Sequence, residues 1–234
     1  MLNEWLPLRA ACLSEILAQE APPLNGKCQS CRAKSFSHRC LECFGHPSFC
    51  KDCCLMAHKL NPYHSVEKWN GGCFVKQSLY DLGLVLHLGH QGEPCPSYSS
   101  DAPSCQAVAG VTVDDCDTQE DDGYEDIFIE DALWVVHASG VIQTRIRYCN
   151  CAGSPNRHTQ LLRHQLFPAT VSAPQTAFTF AALDYFEIDV LECKTSAMNF
   201  FNKLKRQTSN AFPHHVPVWL RCLTREIIAN PLWL

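Results

Sequence analysis

The pattern of apolar and polar positions divides the chain into many short elements. Over residues 7–20, Leu8, Cys12, Leu13, Ile16 and Leu17 recur at the spacing of one helical face, and Pro7 suits a first turn, so an amphipathic helix is predicted there. The run APPLNG at 21–26 ends it. Residues 28–64 are too polar to bury a core unaided. Beyond them EKWNGG reads as a turn, and two short strands are predicted at 73–79 and 82–89. The clearest β signal is a hairpin in LWVVHASGVIQTRIRYC. Two β-rich runs flank Ala138-Ser139-Gly140, and Ile142, Thr144, Ile146 and Tyr148 alternate with Val141, Gln143, Arg145 and Arg147. That alternation predicts one buried face and one that turns both arginines outward. Helices are predicted at 157–164, around 179–191 and at 196–208. Thr195 or Ser196 would cap the last, with Met198, Phe201 and Leu204 inward and Lys203, Lys205 and Arg206 outward.

Charge changes this picture. The net charge is −5, yet residues 98–131 hold eleven carboxylates and no lysine or arginine, so the remainder is net +6. The acidic stretch, about 97–131, lacks periodicity and is predicted to be a loop. Its plain role is a solvated linker; its sharper one is to cover a basic surface in cis and weaken non-specific DNA binding. The opening MLNEWLPLRAACLSEILAQE has no basic start, and Glu4, Arg9 and Glu15 interrupt its apolar run, so it does not read as a secretory signal. No run approaches the roughly 18 apolar residues of a membrane span. An intracellular protein, neither secreted nor in a membrane, is expected. In that compartment thiols stay reduced, and clustered cysteines point to metal rather than to three disulfides.

The chain has sixteen cysteines, and the stretch CLECFGHPSFCKDCCLMAHKLNPYH at 40–64 belongs to a regular cluster. Its spacing is Cys28-x2-Cys31, Cys40-x2-Cys43, Cys50-x2-Cys53, then His58 and His64. Each C-x2-C turn separates two thiolates as one tetrahedral zinc requires. In an interleaved module the first and third pairs share one ion, and the second and fourth share the other. Cys28, Cys31, Cys50 and Cys53 then form one site, and Cys40, Cys43, His58 and His64 the second. Cys54, His38 and His46 remain as substitute ligands. The pattern resembles B-box and ZZ zinc fingers; two closing histidines do not fit a RING finger. A further set, His90 and Cys95 with the C-x-C pair Cys149 and Cys151, completes a third site if the two strand ends are neighbours, with Cys73, Cys105 and Cys116 as competitors. Two Zn2+ ions are expected, and three if this set closes.

Several ordered elements together resemble a known family. They are CQSC…CLEC…CKDCCLMAH…H, EKWNG, SLYDLGLVLHLGHQGEPCP, YCNCAGSPNRHTQLLRHQLFPAT and QTAFTFAALDYFEIDVLECKTSAMNFFNKLKRQT, running from about residue 5 to 210. The chain is similar to the CxC-type cysteine cluster N-terminal to fungal KDZ (Kyakuja-Dileera-Zisupton) transposases. The resemblance implies a zinc-binding module, nuclear, that recognises element DNA or chromatin. In that family an RNase H-like catalytic domain follows; residues 211–234 do not match it, and the catalytic domain is expected to be absent.

The expected architecture is α+β: residues 1–26 a helix and linker, 27–70 a small interleaved two-zinc module, 71–210 a β-rich domain with C-terminal helices, and 211–234 a divergent tail. No catalysis is expected. Asp184, Glu187, Asp189 and Glu192 scatter around one helix, and neither G-x-S-x-G nor a Gly-rich phosphate loop is present. Candidate phosphate contacts are Lys27, Arg32, Lys34 and Arg39 in the module, Arg145 and Arg147 in the hairpin, and Lys203, Lys205 and Arg206 on the last helix. The other expectation is a protein partner: a histone tail, a small modifier or a second copy. It would use a sheet edge within 74–89, or the tail with Trp219 and Trp233. No small-molecule substrate is expected.

Overall fold

The computed structural model describes residues 2–97 and 132–216. The acidic stretch, Cys105 and Cys116, and the tail from 217 with Trp219 and Trp233 lie outside the described residues. The expected α+β class is borne out: helices accompany two separate sheets.

At the N-terminus α1 (Leu2–Trp5) passes through a 3-10 turn, Leu6–Leu8, into α2 (Arg9–Ala18). Pro7 sits in that turn, where its missing N–H costs nothing. The apolar face of α2 is not buried as its spacing suggests. Leu13, Ile16 and Leu17 are more than half exposed, and the segment is held at its C-terminal end, where Arg39 donates to the Gln19 carbonyl and pairs with Glu20.

The first sheet contains β1 (His38–Cys40), β2 (Ser48–Phe49), β3 (Val66–Trp69) and β4 (Phe74–Gln77), in the order β2-β1-β3-β4 and antiparallel throughout, with α3 (Lys51–His58) between β2 and β3. EKWNGG is therefore only half a turn. Its EKW is strand, paired with β4, and Asn70 closes the reversal by accepting from the Gly72 and Cys73 N–H groups (both 2.9 Å). The sheet runs to Gln77, past the boundary expected at residue 70. Its core is small and sulfur-rich: Cys28, Cys40, Cys50 and Cys54 with Phe49 and Val66, extended by Leu79, Leu82 and Leu84.

Leu79 and Leu82 come from an element the sequence pattern misses. Residues 79–82 form α4 (Leu79–Leu82), because Ser78 caps it by accepting from Asp81 N–H (3.0 Å) and Gly83 leaves it at φ +100°. The strand predicted at 82–89 shrinks to β5 (Val85–His87).

The second sheet is mixed. β6 (Ala132–His137) and β7 (Gly140–Arg147) form the expected hairpin, with Leu133 opposite Thr144 and Val135 opposite Ile142. β5 adds parallel to β7, β8 (Leu166–Pro168) and β9 (Thr176–Thr179) add beyond β6, and the order is β5-β7-β6-β9-β8. Both faces are covered. On one, Leu133, Val135, Ile146 and Tyr148 meet Leu161 of α5 (Arg157–Arg163) and Leu166. On the other, Val136, Val141 and Phe178 meet Leu183 of α6 (Phe180–Cys193) and Phe200, Phe201 and Leu204 of α7 (Ala197–Thr208). The expectation of outward arginines fails for the same reason, since Arg145 is partly buried over the Tyr80 ring.

Ser196 caps α7 through Asn199 N–H (3.2 Å), as expected. Met198 is exposed, contrary to expectation. At about 100° per residue it falls about 110° from the stripe centred on Phe200, Phe201 and Leu204. Lys203 does not point freely outward either: it pairs with Asp189 of α6 and lies over the Tyr185 ring.

Candidate metal centres

Among the described residues three groups of four donors converge: Cys28, Cys31, Cys50 and Cys53; Cys40, Cys43, His58 and His64; His90, Cys95, Cys149 and Cys151. Within each, the ligand atoms all lie within 4.8 Å of one another, and each group could hold a metal ion. In sequence order the first C-x2-C pair shares a site with the third, and the second with the two histidines. The thirteen described cysteines are free of disulfides.

In the first site, Cys28 opens a turn closed by Arg32 N–H donating to its carbonyl (2.9 Å), and Arg32 takes a left-handed φ of 57°. Cys50 immediately precedes α3 and Cys53 lies in its first turn, so two thiolates are placed where a helix favours negative charge. Burial pushes the Cys28 thiol up, but backbone hydrogen bonds from Cys50, Cys31 and Ser30 outweigh it and bring it down to about 6. The Cys31 and Cys50 sulfurs are 3.9 Å apart.

The second site joins the end of β1 to the end of α3. Cys43 N–H donates to the Cys40 sulfur (3.3 Å). His58 Nδ1 lies 2.7 Å from the Cys54 carbonyl oxygen, which can only accept. Nδ1 therefore carries the proton, and the Nε2 lone pair faces Cys43 Sγ at 3.8 Å. His64 Nδ1 stands 3.5 Å from Cys40 Sγ and 3.4 Å from Cys43 Sγ. Burial raises the Cys40 thiol, but hydrogen bonding to His58 and to the backbone of Cys43 and Glu42 brings it down to about 6. Burial and the neighbouring Cys40 push Cys43 up to about 11. The first thiolate forms readily, and the second needs a cation between them.

The third site spans the longest separation. His90 and Cys95 follow β5, and Cys149 and Cys151 follow β7, which runs parallel beside it. The parallel pairing is what brings the two strand ends together. His90 Nε2 lies 3.4 Å from Cys149 Sγ and 3.5 Å from Cys151 Sγ, and Cys95 Sγ lies 3.9 and 3.6 Å from the same two sulfurs. The Asn150 backbone holds the Cys95 thiol down to about 6, against the opposing effect of burial. His90 takes a left-handed φ of 50°, a conformation that costs a non-glycine residue energy and that aims its ring into the cluster.

These edges admit a simple test. A tetrahedron with sulfur about 2.3 Å and imidazole nitrogen about 2.0–2.1 Å from its centre has S···S edges near 3.8 Å and S···N edges near 3.5 Å. The observed 3.6–3.9 and 3.4–3.8 Å fit. The substitutes fall away. Cys54 is buried and touches His58 from its Nδ1 side, 3.7 Å away. His38 is hydrogen-bonded to Ser37 and Gln77, His46 is exposed, and Cys73 contacts Asn70.

Two supporting residues escaped the sequence reading. Gln160 of α5 accepts from Cys149 N–H (2.8 Å) and donates to the Cys149 carbonyl (2.9 Å), fixing the C-x-C backbone. Gly89 lies so close that an added Cβ would sit 2.7 Å from Cys149 Cβ. Both act across the fold, and no local spacing marks them.

The basic residues scatter. Lys27, Arg32 and Lys34 surround the first site, with Lys34 paired to Asp52. Lys203, Lys205 and Arg206 sit on α7, and Arg145 and Arg147 on β7. Arg39 must be withdrawn from the phosphate contacts. It is 6% exposed, and its guanidinium is bound by Glu67, Glu20 and the Gln19 carbonyl while it covers the Phe74 ring at 3.9 Å.

The fold and its sites define an α+β protein built around cysteine-histidine clusters suited to metal. Residues 112–212 match a family described as CxC2 like cysteine cluster associated with KDZ transposases, which bears out the CxC-type resemblance over that segment. The match takes in Cys149 and Cys151; His90, Cys95 and the eight donors of the first two sites lie before it. Comparison with curated proteins and with solved structures finds no match. Among the described residues no helix is long and apolar enough to cross a membrane.

Proposed function

We propose that the three centres hold zinc and that the protein is a recognition module of a transposase-related protein, binding DNA in the nucleus without catalysis of its own. The observation that carries the metal is the donor set. Sulfur and imidazole alone, at tetrahedral edges and without a carboxylate, suit Zn2+ and not the hard cations. Bound there, zinc would supply cross-links in place of the apolar core that the first sheet lacks. The DNA reading is supported by the net positive charge outside the acidic stretch. Absence of catalysis is supported by the acidic residues of α6, where Asp189 is tied to Lys203.

A second reading, recognition of a peptide, is favoured by the open groove along the edge strand β4, lined by Lys68, Trp69, Asn70, Val75, Lys76 and Gln77. Elemental analysis of protein purified reduced and without chelator tests the metal: three zinc ions per chain are expected, and folded protein with none overturns the proposal. Titration of duplex DNA at rising salt separates the two readings. Affinity that falls steeply is DNA binding; no DNA affinity at low salt, with a peptide retained at high salt, overturns it.

A further inference from the structure

Two arginines are treated oppositely by this fold. Arg39 is closed: Nε and both terminal nitrogens have acceptors 2.7 Å away. Arg145 is partly buried and stacked, its Cζ 4.6 Å from the centroid of the Tyr80 ring, yet its guanidinium has no hydrogen bond or ion pair among the described residues. A guanidinium carries five donors, and those of Arg145 are not among the buried polar atoms, so they remain open to an acceptor from outside.

Its surroundings are mostly positive. β5 is the edge strand of the second sheet and pairs with β7 so that Val85 lies opposite Arg145 and His87 opposite Arg147. By strand alternation Val85, His87, Arg145 and Arg147 share one face at that edge. Burial first, and then the charges of Arg147 and Lys59, hold the His87 imidazole below its ordinary pKa, with Glu93 the one carboxylate acting against them. Arg145 and Arg147 thus share one face of the β5–β7 pair, and the charges of Arg147 and Lys59 both act on His87 at this corner of the sheet.

We propose that this corner is a phosphate-binding site, in which the Tyr80-stacked guanidinium of Arg145 donates to the oxygens of a nucleic-acid backbone phosphate while Arg147 and Lys59 neutralise its charge. It rests on the DNA-binding reading above and says where on the molecule that binding falls. Stacking presents the guanidinium edge to solvent, and a planar fork matches two phosphate oxygens at once. Such a contact positions the protein without reading sequence.

The test uses the full, zinc-loaded chain and a fluorescein-labelled duplex of about 20 base pairs of arbitrary sequence, followed by anisotropy from low to moderate salt. Loss of one phosphate contact should lower the slope of log K against log salt by about 0.9. Arg145→Gln is expected to show that drop, with about tenfold weaker binding at 0.1 M salt. Arg145→Lys should keep the slope and bind several-fold more weakly, because the charge stays and the fork is lost. Arg163→Gln removes the same charge from α5, whose Leu161 packs on the other face of the sheet, and should change neither. If Arg145→Gln fails to fold, by zinc count and melting temperature, Arg145→Lys decides, and wild-type affinity in it overturns the site. Wild-type slope and affinity in folded Arg145→Gln overturn the site but leave DNA binding standing. A wild-type chain that binds no duplex at low salt removes the DNA reading, and the site with it.

Discussion

Replacing Gly89 by alanine should open the third centre and leave the other two intact. Gly89 has φ −124°, which any residue adopts, so the substitution carries no backbone penalty and its effect is steric. The new Cβ would lie 2.7 Å from Cys149 Cβ and 3.3 Å from Cys149 Sγ. Carbon atoms at rest are about 3.5–4.0 Å apart, so one side must yield by roughly 0.8 Å. Cys149 cannot yield easily, because Gln160 holds its backbone N–H and carbonyl from α5. A shift of that size is about a third of a Zn–S bond of about 2.3 Å. Overpacking of this kind costs about 1–3 kcal/mol, and disturbing the support of a metal ligand lowers affinity about 10–100-fold. The assay is competition with a chromophoric chelator, read as the number and affinity of bound ions. One ion of three should be lost to the chelator early while two remain. Gly92→Ala is the control: its φ of +93° makes it strained, but no atom lies within 4 Å of its added Cβ, so it should keep three ions. Gly89→Ala with three ions at unchanged affinity would refute the reasoning.

Two further outcomes concern side chains of the first sheet and of the helix beside it. Cys54→Ala should leave the ion count unchanged, since Cys54 faces the protonated edge of His58, whereas Cys40→Ala should lower it by one; elemental analysis of both variants decides. Arg39→Met should cost about 3 kcal/mol in denaturant unfolding, at the low end for a broken buried pair because Glu20 can rehydrate, and should leave the salt slope of DNA binding unchanged. An altered slope would return Arg39 to the phosphate contacts.

The donors of the first two centres were legible because C-x2-C spacing is a local constraint, written in residues that must lie on one turn. The hairpin and the Ser196 cap were legible for the same reason. What could not be read depended on distant partners. Strand β3 hides in EKWNGG because its three extended residues are specified by pairing with β1 and β4. Residues 79–82 fall at the junction of the two predicted strands, and only the Ser78–Asp81 cap and Gly83 decide for helix. α2 shows the opposite failure, a helical pattern whose apolar face the described fold does not cover. Arg39 and Arg145 are the same residue type on exposed-looking stretches; which is closed and which open depends on Glu20, Glu67 and Tyr80, none of them near in sequence.

The third centre also bears on what the chain can tolerate. Cys95 lies beyond β5, and Cys149 and Cys151 lie beyond β7, so the cluster sits past the end of the parallel pair. An ion held by the cluster would fasten the stretch after β5 to the stretch after β7 from outside the sheet, so a substitution that weakens the β5–β7 hydrogen bonds would still leave the two strand ends together.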